Sequence, residues 1–209
     1  MLIPINIMAI FFSACILLAL SPGPDNIFVL TQSIINGRIA GWIITLGLCT
    51  GLLGHTLLVA SGVSVILHTS YVAFTSLKLS GGAYLLYLAY LSFRKSSTEL
   101  IPSKSGHASL FHLYRSGIIM NVTNPKVSIF FFSFFPQFAD PLRGSLMLQI
   151  VILGLLFILS ALLVFGMISF FAGYLGDRLQ RSLRAQTILN YISCIVYITL
   201  AVKLVISDM

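Results

Sequence analysis

The chain contains long apolar runs, and these constrain its fold more than any other feature. Each run is near the roughly 20 residues that an α-helix needs to cross the apolar core of a bilayer. The six runs lie at residues 5–36, 41–66, 71–93, 116–138, 146–172 and 187–206. They are continuous rather than alternating, which excludes the pattern of membrane β-strands. The sequence therefore predicts an all-α bundle of six transmembrane helices, folded as a single integral membrane domain over residues 1–209.

Composition points to the same class of protein. Hydrophobic residues make up 58% of the chain and charged residues only 8%, whereas soluble domains carry about 25% charged residues. The three cysteines all lie in apolar runs without CxxC spacing, which favours small buried side chains over a redox or metal site. No Lys or Arg precedes Arg38, so the first run lacks the basic flank of a secretory signal peptide.

The net charge of +7 indicates which loops face the cytoplasm rather than a nucleic-acid partner. If the loops after the first, third and fifth runs are cytoplasmic, eight basic residues lie on that side and only Arg143 lies on the other. The eight are Arg38, Arg94, Lys95, Lys104, Arg115, Arg178, Arg181 and Arg184. This excess of positive charge predicts that both termini lie outside the cytoplasm. The linker at 94–115 reads as solvated, with a short interfacial helix near 110–114.

Two of the runs are broken by residues that a continuous helix does not tolerate. The first break consists of Ser21, Pro22, Gly23, Pro24, Asp25 and Asn26. The second, at residues 121–126, includes Asn121, Asn124, Pro125 and Lys126. Proline lacks an N–H and clashes with the preceding turn. Broken backbone at membrane depth is tolerated only where it is buried in protein or lines a polar cavity, so we expect the breaks to line a substrate site.

The breaks also suggest an internal duplication, because they open the first run of each half of the chain. A short echo joins residues 46–48 in the second run to residues 153–155 in the fifth, both Leu-Gly-Leu. Each half has an odd number of spans, so a repeated half must lie inverted in the bilayer. Inverted repeats with broken helices are typical of secondary transporters, whose site lies at the repeat interface.

Two charged residues dominate the predicted site. Asp25 is the one carboxylate within the apolar runs; it either caps the helix that follows or takes part in transport, as a candidate proton carrier. Lys126 follows Pro125 in the first turn of a half-helix, where a cation opposes the helix dipole. Its expected partner is Asp25 or a substrate carboxylate. Together the two charges suit a zwitterion.

Each of the other candidate residues has a structural interpretation beside the functional one. His55 is either a proton relay or a hydrogen-bonded packing residue. Lys78 and Tyr84, in the third run, either line the pathway or serve packing and anchoring. The phenylalanines at 130–132, 134 and 135 face lipid or fill space, although one ring could gate the pathway. Glycines such as Gly47 are expected to allow close helix contact.

Four motifs in this order resemble the lysine exporter and homoserine–threonine efflux (LysE/RhtB) family of amino-acid exporters, over nearly the full length. The motifs are residues 21–26, residues 37–41, residues 77–78 with 81–85, and residues 124–126 with 135–138. The resemblance implies efflux of amino acids or their derivatives across a bacterial inner membrane, driven by the proton gradient, with the two breaks lining the pathway. Ile39 departs from the family, which often has a second arginine there.

Several alternatives remain open. A passive channel also uses broken helices. A six-helix redox carrier or a metalloenzyme would need paired cysteines or clustered histidines, and the histidines here are scattered along the chain. We therefore predict a transporter rather than an enzyme, without a cofactor or metal. Its predicted partners are an amino-acid-like substrate, protons and the lipid bilayer, and a homo-oligomer is left open.

Overall fold

A computed structural model describes residues 2–69, 71–94, 109–181 and 183–206. All regular structure in these ranges is helical, which confirms the all-α prediction. The helices are α1 (Ile5–Leu20), α2 (Pro24–Asn36), α3 (Arg38–Thr69), α4 (Tyr71–Arg94), α5 (Leu110–Thr123), α6 (Pro125–Phe134), α7 (Leu146–Arg181) and α8 (Leu183–Ile206), with short 3₁₀ turns at Phe135–Phe138 and Pro141–Arg143. Most of the predicted linker, residues 95–108, lies outside the described residues.

The helices run further than the apolar runs that predicted them. α3 continues to Thr69 and α7 to Arg181, beyond the predicted ends at 66 and 172. Polar residues end the apolar run without ending the helix, because the backbone hydrogen bonds of a helix do not depend on the polarity of its side chains. The separate interfacial helix predicted at 110–114 is wrong, because these residues form the first turns of α5, which Ser109 caps by accepting a hydrogen bond from the His112 N–H at 3.2 Å.

Both predicted breaks are present. α1 and α2 form one apolar pair bent by 60°, and the second pair, Leu110–Thr123 with Pro125–Phe138, is bent by 53°. Arg38–Gly62 and Leu146–Ala172 are each long and apolar enough to cross a membrane alone. The described residues therefore supply two spans, or four if each bent pair is one span.

The bundle is built around α3 and α7, which pack against each other. α5 lies along α3, α1 lies along α7, and α2 contacts both α3 and α7. α4 packs mainly against α8 and also contacts α6. The α3–α5 contact is close because glycines face each other: a Cβ on Gly117 would lie 2.5 Å from the Ile44 carbonyl oxygen and 3.2 Å from the Gly47 Cα. The expected role of Gly47 in close packing is confirmed.

A cluster of aromatic rings fixes α6 inside the bundle. Phe131 and Phe135 stack at 4.1 Å, and Phe11 of α1 meets the Phe135 ring edge-on at 5.0 Å. Phe157 of α7 stacks on Phe131 at 5.4 Å. Phe130, Phe131, Phe134 and Phe135 are all buried, so these rings serve packing rather than contact with lipid.

Candidate translocation site at two helix breaks

The first break separates α1 from α2. Ser21 ends α1 with extended backbone, and its N–H still donates to the Leu17 carbonyl at 3.0 Å. Pro24 is the first residue of α2, a position where its missing N–H costs nothing. Asn26 reaches back from α2 and donates its side-chain amide to the Ala19 carbonyl at 2.6 Å. One carbonyl left free at the end of α1 is thereby satisfied.

The second break separates α5 from α6 in a similar way. Asn124 has extended backbone and its N–H donates to the Asn121 carbonyl at 3.1 Å. Its side-chain oxygen accepts a hydrogen bond from the Lys126 N–H at 3.0 Å, so Asn124 caps α6. Pro125 is the first residue of α6 and Lys126 the second.

The two breaks meet in space. Lys126 Nζ donates a hydrogen bond to the Ser21 carbonyl at 2.9 Å, across a sequence separation of 105 residues. A Cβ on Gly23 would lie 3.5 Å from the same Nζ, so the lysine side chain runs directly past the first break. The Asn124 side chain lies beside the Asp25 carboxyl. The structure thus brings the two motifs into a single site.

Each charged side chain of the site lies at a helix end whose dipole has the opposite sign. Lys126, 8% exposed, donates at the C-terminal end of α1, where the helix dipole is negative. Asp25, 5% exposed, stands in the first turn of α2, where the dipole is positive. The ring of Tyr197 adds a cation–π contact, with its centroid 5.7 Å from Lys126 Nζ.

Asp25 and Lys126 do not form a direct ion pair. The single ion pair among the described residues joins Arg143 Nε to Asp140 Oδ2 at 3.1 Å in an exposed turn. Of the two expected partners of Lys126, Asp25 is therefore corrected: Lys126 Nζ donates to the Ser21 carbonyl instead. Because the dipole of α1 supplies a negative end at that point, the lysine is stabilised without the carboxylate. A substrate carboxylate as its partner stays a prediction.

Five buried polar atoms in the described ranges have no hydrogen-bond partner, and all belong to predicted site residues. They are Ser21 Oγ, Asp25 Oδ1, Asn121 Oδ1 and both ring nitrogens of His55. The His55 ring lies near the Asn121 backbone, but neither nitrogen has the geometry of a hydrogen bond. Buried polar groups in native proteins are nearly always paired. Ser21, Asp25 and Asn121 lie at the breaks, and His55 lies on α3 near Asn121, so these unpaired atoms lie at or beside the breaks.

An open cleft of about 460 Å³ lies between α2 and the second break. Pro24 and Pro125, the residues that begin the two half-helices, both line it. The remaining lining residues are Phe28, Ser116, Ile119, Met120, Thr123 and Asn124. Neither Asp25 nor Lys126 is among the residues that line it. No group of three or more potential metal ligands comes together in the described part of the chain.

Comparison with known proteins decides the family. The sequence model of the LysE type translocator family matches residues 16–208. The chain belongs to this family. A homoserine/homoserine lactone efflux protein of Salmonella typhi is 35% identical over 148 residues, 71% of each chain. The corresponding protein of Salmonella typhimurium is 36% identical over 138 residues, 66% of each chain. A membrane protein of Vibrio cholerae, named as uncharacterized, is 28% identical over 187 residues, 89% of this chain and 88% of its own. No solved structure matches.

The other predicted residues of this translocator, Lys78 and Tyr84, lie on α4. Tyr84 is half-buried on α4, with its ring 6.0 Å from that of Tyr87. The side chain of Lys78 lies outside the described residues. Sequence analysis missed Tyr197, which is 2% exposed and faces Lys126. No sequence signal separates it from the other aromatic residues of the last apolar run.

Proposed function

We propose that this translocator exports amino acids or their derivatives across the bacterial inner membrane in exchange for protons. Membership of a translocator family and the efflux named for the Salmonella relatives support export. The observation that carries the proposal is the pair Asp25 and Lys126, two buried charges at one site that are not neutralised by direct contact.

This arrangement fits a zwitterion. Asp25 Oδ1 and Ser21 Oγ are unpaired acceptors, and they suit the α-ammonium group of an amino acid. Lys126 Nζ and the N-terminal end of α2 suit its α-carboxylate, since helix N-termini bind anions. Lys126 holds only a backbone carbonyl and Asp25 Oδ1 holds no partner, and buried charges favour an opposite charge, so a bound zwitterion would supply one to each.

Exchange with protons follows from competition for one carboxylate. A proton on Asp25 removes the charge that holds the substrate ammonium, so proton and substrate bind alternately. Release of the proton on the cytoplasmic side would prepare the site for the next substrate. We assign the proton to Asp25 rather than to His55, since Asp25 is the group beside Lys126.

We further propose the six-span topology with two inverted halves. α4 and α8, of 24 residues each, would be the third and sixth spans. Support comes from the packing, in which α3 pairs with α7, α4 pairs with α8, and α5 lies on α3 as α1 lies on α7. The Leu-Gly-Leu echo adds nothing to this, because Gly47 faces the α5 backbone whereas Gly154 faces Thr56 on α3.

Counterflow in vesicles tests the proposal. The full chain is reconstituted, the vesicles are loaded with one unlabelled amino acid, and entry of the labelled form is measured across a panel that includes L-homoserine. A carrier gives entry that is stimulated by internal substrate, whereas entry that ignores internal substrate indicates a channel. In Lys126→Gln we expect a higher half-saturation concentration, while Arg143→Gln, which also removes a cation but from an exposed turn, should behave as wild type.

A further inference from the structure

His55 and Asn121 form a second group of unpaired polar atoms, separate from the charged pair. His55 is 6% exposed and Asn121 is 2% exposed. Both ring nitrogens of the histidine and the Oδ1 atom of the asparagine lack a hydrogen-bond partner. A histidine kept only for packing would be expected to pair its nitrogens within the protein. The two side chains therefore have free hydrogen-bonding capacity in the interior.

The two residues are held together by α3 and α5. Gly51, one turn before His55 on α3, faces the Asn121 side chain so closely that a Cβ there would lie 2.6 Å from Oδ1. The His55 ring also lies near the Asn121 backbone. Phe131 stacks on the imidazole at 5.3 Å with an angle of 29° between the rings. One face of the group is thus closed by an aromatic ring.

The group lies within reach of the charged pair. Phe131, which stacks on His55, follows Lys126 by five residues on α6, a rise of about 7.5 Å along the helix. Asn121 contacts Asn124 through the backbone, and the Asn124 side chain lies beside Asp25. A molecule bound by its ammonium and carboxylate at Asp25 and Lys126 would therefore meet His55 only through its side chain.

The unpaired donors and acceptors of His55 and Asn121 determine which chemical group at the end of a substrate side chain would fit. A neutral imidazole offers one donor and one acceptor, and Asn121 Oδ1 offers a second acceptor. A carboxamide, with two donors and one acceptor, can pair all three atoms, and a hydroxyl, with one donor, can pair the histidine donor and one of the two acceptors. A carboxylate has no donor, and an ammonium group would bury a charge without a carboxylate beside it. A methyl group leaves all three atoms unpaired.

We propose that His55 and Asn121 form a subsite that binds a hydroxyl or carboxamide at the end of the substrate side chain. The subsite rests on the export function proposed above and gives it a substrate class: uncharged amino-acid derivatives with a short polar side chain. His55 and Asn121 then determine specificity, while Asp25 and Lys126 hold the groups common to all amino acids.

Two ligands that differ only in that group test the subsite. L-Homoserine and L-norvaline share one skeleton, with a hydroxyl in the first and a methyl in the second. Apparent Kd is measured on the purified full chain by ligand-induced thermal stabilisation, and inhibition of counterflow is measured in vesicles. We expect the wild-type protein to prefer L-homoserine by at least about tenfold, since a site built to hydrogen-bond a hydroxyl rejects the analogue that lacks it.

Variants at the subsite should change the ratio of the Kd values for L-norvaline and L-homoserine rather than weaken the binding of both ligands. His55→Phe keeps the stack on Phe131 but removes both nitrogens, so the preference should fall to within about threefold through weaker L-homoserine binding. His55→Gln retains a donor and an acceptor and should restore part of the preference. Thr56→Val is the matched control on α3, because the Thr56 hydroxyl is already paired with the Leu52 carbonyl at 2.8 Å; it should leave the ratio unchanged.

Each outcome separates the subsite from the export function. If His55→Phe weakens both ligands equally, or if the wild-type protein has no preference, the subsite is refuted while export stands. If the wild-type protein shows no counterflow of any amino acid, the export function fails and the subsite with it. Should His55→Phe not fold, the ratio in Asn121→Leu, which removes the third polar atom, decides in its place.

Discussion

Replacing Lys126 with methionine tests whether the two helix breaks form one electrostatic unit. The change keeps a long apolar side chain but removes the ammonium group that donates to the Ser21 carbonyl at 2.9 Å. Loss of a hydrogen bond from a charged group costs about 1.5–3 kcal/mol. The change also leaves Asp25, which is 5% exposed, without a cation. We therefore expect the Lys126→Met protein to lose about 3 kcal/mol of stability.

A double-mutant cycle with Asp25→Asn isolates the electrostatic part. Two unit charges 4 Å apart interact by about 4 kcal/mol at an effective dielectric constant of 20. The charged groups of Asp25 and Lys126 lie further apart than 4.0 Å, since they form no ion pair. The coupling free energy should therefore lie at about 1–3 kcal/mol, so that the double variant loses less stability than the sum of the single variants.

Equilibrium unfolding in mixed detergent micelles measures this coupling. The fluorescence of Trp42, the one tryptophan of the chain, reports unfolding because its ring packs against Gly166 of α7. Asp140→Asn and Arg143→Met give the matched cycle for an exposed pair at 3.1 Å, whose coupling should not exceed about 1 kcal/mol. A coupling at the breaks no larger than that of the loop pair would refute the argument.

Two further predictions concern the helix contacts and the topology. Gly117→Val should destabilise the protein by about 1–3 kcal/mol or more, because the new Cβ meets the Ile44 carbonyl oxygen and the Leu48 nitrogen of α3; Gly54→Val, with nothing within 4 Å, should change stability by less than about 0.5 kcal/mol, and equal losses would contradict the close contact. In a cysteine-free background, an impermeant thiol reagent should label a cysteine at Ser145 in intact cells and spare one at Ser182, and the reverse pattern would overturn the proposed orientation.

The helix breaks could be predicted from the sequence because proline acts locally. Pro24 and Pro125 each begin a new helix in the structure, as the missing N–H and ring clash require. The outer bounds of the first broken pair, Ile5 and Asn36, also agree with the predicted run. Local backbone chemistry determines these features, so no knowledge of the tertiary structure was needed.

The partners of the site residues could not be predicted in the same way. The hydrogen bond from Lys126 to the Ser21 carbonyl joins residues 105 positions apart, and a backbone carbonyl carries no sequence signal. The burial of Phe131 and Tyr197 could not be predicted from the sequence either. In a membrane both the lipid-facing and the buried side of a helix are apolar, so hydrophobic periodicity does not separate them. Only the packed structure does.

Transport driven by an imposed pH gradient tests the central claim most directly. Vesicles containing equal amounts of the wild-type, Asp25→Asn or Asp140→Asn protein are given the same gradient, and accumulation of a substrate found by counterflow is measured. The capping role considered for Asp25 is wrong, because Gly23 is the N-cap of α2 and no side chain caps that helix. Asp25→Asn keeps the size of the side chain but cannot ionise, so the protein should fold but fail to accumulate substrate. Asp140→Asn, the same change in an exposed turn, should accumulate it as the wild type does. If the Asp25→Asn protein still concentrates substrate in response to the gradient, Asp25 carries no proton and the claim is refuted.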